Sequence, residues 1–509
     1  MVNLTFPIVI GLLLFGLLLP GSAVALTFPQ DFNYCNRTEV LLDRGEVWEL
    51  NSIFHPLDVI PHDTTANPEE STEEPDWVKS YLDKYSKLSH RAREGLTDNM
   101  SMLIIPAISS SKQSGIARDY KKLASAVYIW LEARISQKWY IRFYERTTSH
   151  ALSLSHYSGV SRDIERAGLN TGEIDRSVIG FKNDHIRAEY GRSREIWGPM
   201  VEDNVMLAGT SPSYERLMLQ VDYHRFSYRW FYGYLEAVED IENFQRYIVG
   251  RALEYRNRKN LVLALGEVSV VAGPDRGVEF HYLNPLAFHV EIEQNSRTSQ
   301  SGNYENAIWF LHADWLTFPS LRLSGSLVID EFTIDSGPRK EGRPHALGWL
   351  GRVAWTPKTD LIDVTFFTEY VRVDTYTMQH TRKYSGFVTR GQLLGHPIGN
   401  DADRIEFGVR LMPDYPFLLE FKLGQLRWGS NSLHFDPYSA FIDLYNVPFP
   451  SGEARTNSYL ELNLDSELLK GLSLNIESHI DLENSGSKSA LQVLTVNAIY
   501  KFPLLLRKD

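Results

Sequence analysis

The chain has 509 residues, with 52 Lys and Arg against 64 Asp and Glu, a net charge of −12 with histidine neutral, and 43% hydrophobic residues. That apolar content excludes a disordered chain, and an acid excess without a basic block argues against nucleic acid as a partner. Beyond the N-terminus no run of about 18 apolar residues occurs, which excludes a bundle of membrane-spanning helices.

The chain opens with an apolar stretch, residues 6–20, followed by the small residues Gly21, Ser22, Ala23 and Ala25. This pattern predicts a signal peptide over residues 1–25, cleaved after Ala25. Cys35 is the single cysteine, so no internal disulfide is possible and stability must come from topology and packing. Residues 38–50 read as a short helix. An acidic linker follows at 62–76, and a longer amphipathic helix at 77–92 then places Trp77, Tyr81, Leu82, Tyr85 and Leu88 on one face. Residues 26–100 are therefore expected as a small N-terminal helical segment on the periplasmic side.

From about residue 101 the hydrophobic period changes from 3.6 to 2. Val127, Ile129, Leu131 and Ala133 alternate with Tyr128, Trp130, Glu132 and Arg134. The same alternation recurs at 405–411, 460–465 and 472–482, with tight turns at Gln137-Lys138 and around Asn257-Arg258-Lys259. Strands apolar on one side and polar on the other, repeated without a helical span, predict an all-β fold. The form expected is a large closed antiparallel transmembrane β-barrel of about 16–18 strands. Tyr 26, Trp 11 and Phe 25 supply aromatics for its two interfacial girdles. The barrel is expected over 101–502, with a tail at 503–509. The segment 492–502 sets Leu494, Val496, Ala498, Tyr500 and Phe502 on one face, as a last strand would. The alternative from pattern alone is a large soluble β protein.

Several segments in order carry a more specific signal. They are LLDRG at 41–45, GLNTGEIDRSVIG at 168–180 and GRSREIWGP at 191–199. HYLNPLAFH at 281–289, LVIDEFTID at 327–335 and GHPIGNDADR at 395–404 follow. Together the chain resembles the capsule-assembly Wzi-type outer-membrane family from about residue 36 to 502. One departure is Met200, where a glycine would be expected after that Trp-Gly-Pro. The resemblance implies an outer-membrane barrel of about 18 strands, a helical plug at its periplasmic mouth and loops closing the outer one. It also implies a lectin-like role in holding capsular polysaccharide at the cell surface.

Nucleophile elbows, phosphate loops and zinc-protease motifs do not occur, so no catalytic residue, metal or cofactor is expected. His281 and His289 lie eight apart in a segment that reads as strand, which argues against a metal pair. Asp330, Glu331 and Asp335 read as lumenal carboxylates paired with arginine rather than a glycosidase pair. Arg192, Arg194, Glu195 and Trp197 form the densest constellation, since guanidinium forks bind hydroxyls or carboxylates and an indole offers a flat face to a sugar ring. Tyr282 and Asn284 form a similar group, with Pro285 marking a strand end. These six are the polysaccharide-binding candidates, and an internal brace of Arg–Glu pairs around Trp197 is the alternative. The expected protein is a non-enzymatic, monomeric outer-membrane lectin for capsular or exopolysaccharide. Its other partners would be the outer-membrane lipids and the barrel-insertion machinery. A porin-like channel is the second reading, and a hydrolase of lipid or glycan the third.

Overall fold

The computed structural model describes residues 39–40, 42–44, 52–54, 101–115, 123–135, 138–149, 169–236, 243–295, 305–318, 320–331, 346–357, 364–412, 417–431, 448–469, 472–482, 492–501 and 504–507. The expected signal peptide, Cys35, the acidic linker and the expected helix at 77–92 lie outside the described residues.

The strands are β1 (Ser101–Gly115), β2 (Leu123–Arg134), β3 (Trp139–Thr148), β4 (Thr171–Lys182), β5 (Ile186–Ser193), β6 (Tyr214–Tyr223) and β7 (Phe226–Tyr234). They continue as β8 (Phe244–Arg256), β9 (Leu261–Pro274), β10 (Glu305–Phe318), β11 (Leu321–Glu331), β12 (Ala346–Trp355) and β13 (Val364–Val373). A two-residue hairpin, β14 (Val388–Thr389) and β15 (Gln392–Leu393), stands apart from the wall. The wall resumes with β16 (Ala402–Leu411), β17 (Phe417–Trp428), β18 (Arg455–Leu469), β19 (Leu472–Asp481), β20 (Gln492–Lys501) and β21 (Leu504–Arg507). Each strand pairs antiparallel with its neighbour, and β1 closes the ring against both β20 and β21. β20 and β21 pair with β1 in one register, Ala107 with Lys501 and Ile104 with Leu504, so they count as one strand and the barrel has 18. Closure leaves no edge, so the backbone polar groups pair within the wall. Residues 504–507, expected as tail, instead extend the last strand against Ser101–Ile104.

Short turns such as 224–225 and 319–320 gather at one end, and the long connections 194–213, 275–304 and 374–401 at the other. Transmembrane barrels place the short turns in the periplasm and the long loops outside. Asn257 Oδ1 closes one short turn by accepting the N–H groups of Lys259, Asn260 and Leu261, each at 2.9 Å. Outward positions carry Ile, Leu and Val at mid-height. Toward the short-turn end they carry Trp139, Tyr223, Phe226, Phe318, Trp355 and Phe366, all exposed, as an aromatic girdle.

Residues directly opposite in a ladder share a face. One row, Met218, Phe231, Gly250, Val268 and Ile308, therefore points inward together. The next row, Leu219, Trp230, Arg251, Glu267 and Trp309, points outward. The inner face of β6–β13 is largely apolar, with Phe231, Ile248, Val268, Ile308, Phe310, Val328, Leu350 and Val371 in one buried cluster. On the other side of the ring, β16–β19 carry buried charged groups such as Asp403, Glu406, Arg410 and Glu420, and Ala107, Ala126, Tyr128, Trp130 and Tyr144 of β1–β3 form a second buried cluster.

Candidate functional site

The lumen is the candidate site, and three segments fill its apolar sector. Near the N-terminus a short helix carries Glu39, Val40, Leu42 and Asp43, all buried. Arg352 on β12 holds Asp43 through a fork, Nη1–Oδ1 and Nη2–Oδ2 both 2.6 Å. Arg322 on β11 bonds Glu39, Asp43 (3.2 Å) and Asp314 (2.7 Å). Burial pushes the Asp43 carboxyl up, but the guanidinium groups of Arg352, Arg322 and Arg410 outweigh it and hold the group below its ordinary value. These wall residues lie toward the short turns, so the helix is tied to that end. Further along the chain, Ile53 N–H and the Ser52 hydroxyl both donate to Glu254, at 2.6 and 2.8 Å.

From the opposite end, loop 194–213 descends into the lumen. Trp197 is fully buried, with ring centroids 5.4 Å from Phe54, 5.1 Å from Phe231 and 5.8 Å from Phe310. Backbone bridges join it to Phe54 and Leu207. Gly198 has φ 153°, and a Cβ there would meet Asn204 Oδ1 at 2.0 Å, so the entry turn requires glycine. Asn204 then closes the turn from both sides, accepting from Met200 N–H (3.0 Å) and donating to Met200 C=O (2.7 Å). That clamp works through the Met200 backbone, so it does not depend on the glycine expected there. Loop 374–401 packs onto it, where Met378, Phe387 and Leu394 join the same cluster and Ala208 N–H donates to Leu394 C=O at 2.9 Å.

The constellation around Trp197 is thus brought together, but as a brace. Arg194 binds Asp175, the Gly209 carbonyl and Ser213. Glu195 accepts from Trp197 Nε1 (2.8 Å) and Arg229 (3.0 Å) and pairs with Arg216 (3.1 Å). Arg194, Glu195 and Trp197 are 3%, 2% and 0% exposed, so a polymer has no face to touch, and the sugar-contact expectation for them is corrected. Arg192 is separated from them by strand alternation. It lies on the outer wall at the rim, donating to Ile174 C=O at 2.7 Å and pairing with Glu215 at 3.7 Å. The residue missed was Asp175. A bulge between β3 and β4 turns both Asp175 and Arg176 inward, and the break in alternation at Ile174-Asp175-Arg176 was its sequence signal.

Tyr282 and Asn284 sit elsewhere again, in the connection between β9 and β10. This region is not strand but two short helices, α1 (Phe280–Leu283) and α2 (His289–Gln294). Tyr282 is 1% exposed and its hydroxyl bonds His289 Nδ1 at 2.9 Å. Asn284 caps α1 and accepts Leu286 N–H at 3.0 Å. The buried Tyr282 is a correction of the sugar-contact expectation; Asn284 remains exposed. Among the described residues no group of three or more His, Cys, Asp or Glu side chains is arranged to hold a metal ion. Asp330 accepts Met378 N–H at 2.6 Å, holding loop 374–401 to β11, while residue 335 lies outside the described residues.

The polar sector of the lumen is mixed in charge and half-buried. Lys422 lies 3.2 Å from Glu420 and 3.6 Å from Glu461, and His479 bridges Glu461 (2.9 Å) and Asp481 (3.0 Å). Tyr459 stacks on His479 at 5.2 Å and donates to Glu406 at 2.6 Å. Arg142 and Glu132 face them from β3 and β2, 3.6 Å apart.

No family model and no curated protein matches the sequence. Among solved structures, the chain is similar to Wzi of Escherichia coli, described as an outer-membrane protein involved in group 1 capsule assembly and a carbohydrate-binding β-barrel. The TM-score is 0.59 at 12% identity, covering 94% of this chain and 99% of that one. OccK5 (OpdH) of Pseudomonas aeruginosa aligns at a TM-score of 0.44 and 10% identity, over 80% of this chain and 98% of that one. At such identities the likeness is one of fold. The chain folds as a closed 18-stranded antiparallel β-barrel of Wzi-like architecture.

Proposed function

We propose that this barrel is a polysaccharide receptor of the outer membrane, which anchors capsular or exopolysaccharide at the cell surface and performs no covalent chemistry. The observation that carries the reading is the packing around Trp197. Loop 194–213 from one end and Phe54 from the N-terminal side meet at an apolar core, which suits a closed scaffold displaying loops better than a conduit. Affinity would come from many weak contacts along a repeating polymer, multiplied by effective concentration. The contacts fall on the long-loop surface. There loop 374–401 carries the exposed Arg382, Tyr384, whose ring lies 5.0 Å from Phe244, and Arg390, 3.8 Å from Glu173. The chain would reach the membrane as a monomer, after signal-peptide removal at Ala25 and passage through the barrel-insertion machinery.

A porin-like role is the second reading, and it rests on the polar sector lined by Lys422, Glu461, His479, Arg142 and Glu132. Two measurements separate the readings. In a strain lacking the protein, polysaccharide should still be made but be shed into the medium, and the purified protein should give little steady current in planar bilayers. Normal polysaccharide retention together with large steady currents would replace the receptor by the channel. An Arg382→Gln, Arg390→Gln double variant should lower retention while the heat-modifiable fold and surface display stay intact.

A further inference from the structure

Arg251 and Glu267 point outward at mid-height of the wall. They share a row with Trp230 and Trp309, on the face opposite Phe231 and Val268. A charged group on the lipid face of a barrel is most unfavourable at the membrane midplane. Yet the pair is closed, Arg251 Nη1 to Glu267 Oε1 at 2.8 Å, and both residues are buried, at 1% and 0% exposure. The connection between β9 and β10 covers them.

That connection leaves the long-loop end and lies down against the outside of the barrel. Arg276 ties its root, donating to Ala272 C=O at 2.8 Å and pairing with Glu305, the first residue of β10, at 2.6 Å. Its middle is fixed by His289 N–H, which donates to Glu267 at 2.8 Å. Its lowest point is fixed by the Tyr228 hydroxyl, which donates to Pro285 C=O. Tyr228 is opposite Leu253, whose exposed side chain belongs to the lipid-facing wall. Tyr282 and Ile292 pack down on the outward side chains Trp230, Val249 and Val271.

Beside the polar His281, Asn284 and Glu293, this segment exposes several large apolar side chains. Phe280 is 85% exposed, Leu286 73% and Phe288 45%, and Phe288 stacks on the outward Trp309 with centroids 6.4 Å apart. Two residues along β10 from Trp309, on the same face, Leu311 pairs with Leu265, and both are exposed. Irregular backbone exposed to lipid must satisfy its own polar groups. Here Asn284 N–H returns to Phe280 C=O at 3.2 Å, Ala287 N–H to Asn284 C=O at 3.3 Å and Ile292 N–H to Phe288 C=O at 3.1 Å.

We propose that residues 275–295 form a membrane-embedded clasp: its crest of Phe280, Leu286 and Phe288 lies among the acyl chains of the membrane lipids, and its underside insulates the Arg251–Glu267 pair from them. The clasp is independent of what the long loops bind.

The test is site-directed spin labelling of the full chain in dilauroyl phosphatidylcholine vesicles, with Cys35→Ser as background. Leu286→Cys and Phe280→Cys report the crest. Leu265→Cys reports the lipid-facing wall, and Lys259→Cys the aqueous turn. The ratio of oxygen to nickel-chelate accessibility at the crest should match Leu265→Cys and exceed Lys259→Cys several-fold. A crest ratio like that of Lys259→Cys would place the segment in water and overturn the proposal. Exclusion of both reagents with spin–spin broadening would also overturn it, by showing a second copy of the chain on this surface. Each variant is read only from the heat-modifiable, inserted form, and Phe280→Cys serves if Leu286→Cys fails to insert.

Discussion

Two buried ion-pair regions, one inside the barrel and one outside, use the same residue types under opposite conditions. Inside, carboxylates are shared: Asp175 meets Arg146 and Arg194, and Glu195 meets Arg216 and Arg229. Outside, Glu267 meets Arg251 and the His289 N–H. The inner pairs are shielded by the plug that they also hold. The outer pair faces the hydrocarbon side and relies on the clasp. Within a network, loss of one cation leaves the carboxylate another; in the isolated pair it leaves a buried charge alone. The position of an ion pair relative to the wall therefore decides what its removal should do.

The largest effect is expected outside. Glu267→Gln leaves Arg251 buried without a counter-charge, and breaking such a pair is destabilising by about 3–5 kcal/mol. The unfolding temperature in detergent or lipid should fall accordingly. Arg251→Leu with Glu267→Leu should recover most of that loss, since two apolar side chains of similar volume suit the lipid face. If the double variant is as unstable as the single, the pair is needed for more than charge balance.

A smaller loss is expected inside. Arg194→Gln removes one charge-assisted interaction from Asp175, about 1.5–3 kcal/mol, while Arg146 remains at 3.4 Å. The barrel should melt lower with polysaccharide retention unchanged in the surviving protein. Arg192→Gln, at the outer rim, should change stability by about 0–1 kcal/mol, as expected of a solvent-accessible pair. Equal losses for the two arginines would erase the distinction between brace and rim.

The smallest effect is a pH dependence of the cap. Burial, then Arg404, holds His396 of loop 374–401 well below its ordinary 6.5. Its contribution to stability is full above that value and is lost as pH falls below it. Glu202 of loop 194–213 is pushed up to about 6 by burial, against Arg194 and Lys422. Its contribution has the opposite sign, being full below the ordinary 4.5 and lost as pH rises through about 6. Protease cutting of the loops should therefore increase modestly as pH falls from about 7.5 to about 5. Glu202→Gln should steepen that increase and His396→Gln should flatten it.

The periodicity of 2, which repeats from residue 101 to 501, made the closed barrel legible because a wall between lipid and lumen imposes alternation on each strand. The sequence also marked the constellation at 192–197 as dense in arginine, acid and tryptophan. It could not say which side of the wall each residue would take. Alternation along β5 sends Arg192 outward and Ser193 inward, and the chain then turns into the lumen at Gly198.

By itself, then, the sequence determined the class of fold and the absence of an internal disulfide, since these follow from local period and residue type. The tertiary structure decided that Trp197 is a plug and not a sugar platform, because its partners Phe54, Phe231 and Phe310 come from far along the chain. It likewise decided that 281–289 is no strand. The strand expected to end at Pro285 ends at Pro274 instead, and only contact with the outward row of Trp230, Arg251 and Glu267 explains why the chain folds back there. Charges that look alike in a sequence differ in role once a closed wall separates an interior from a membrane.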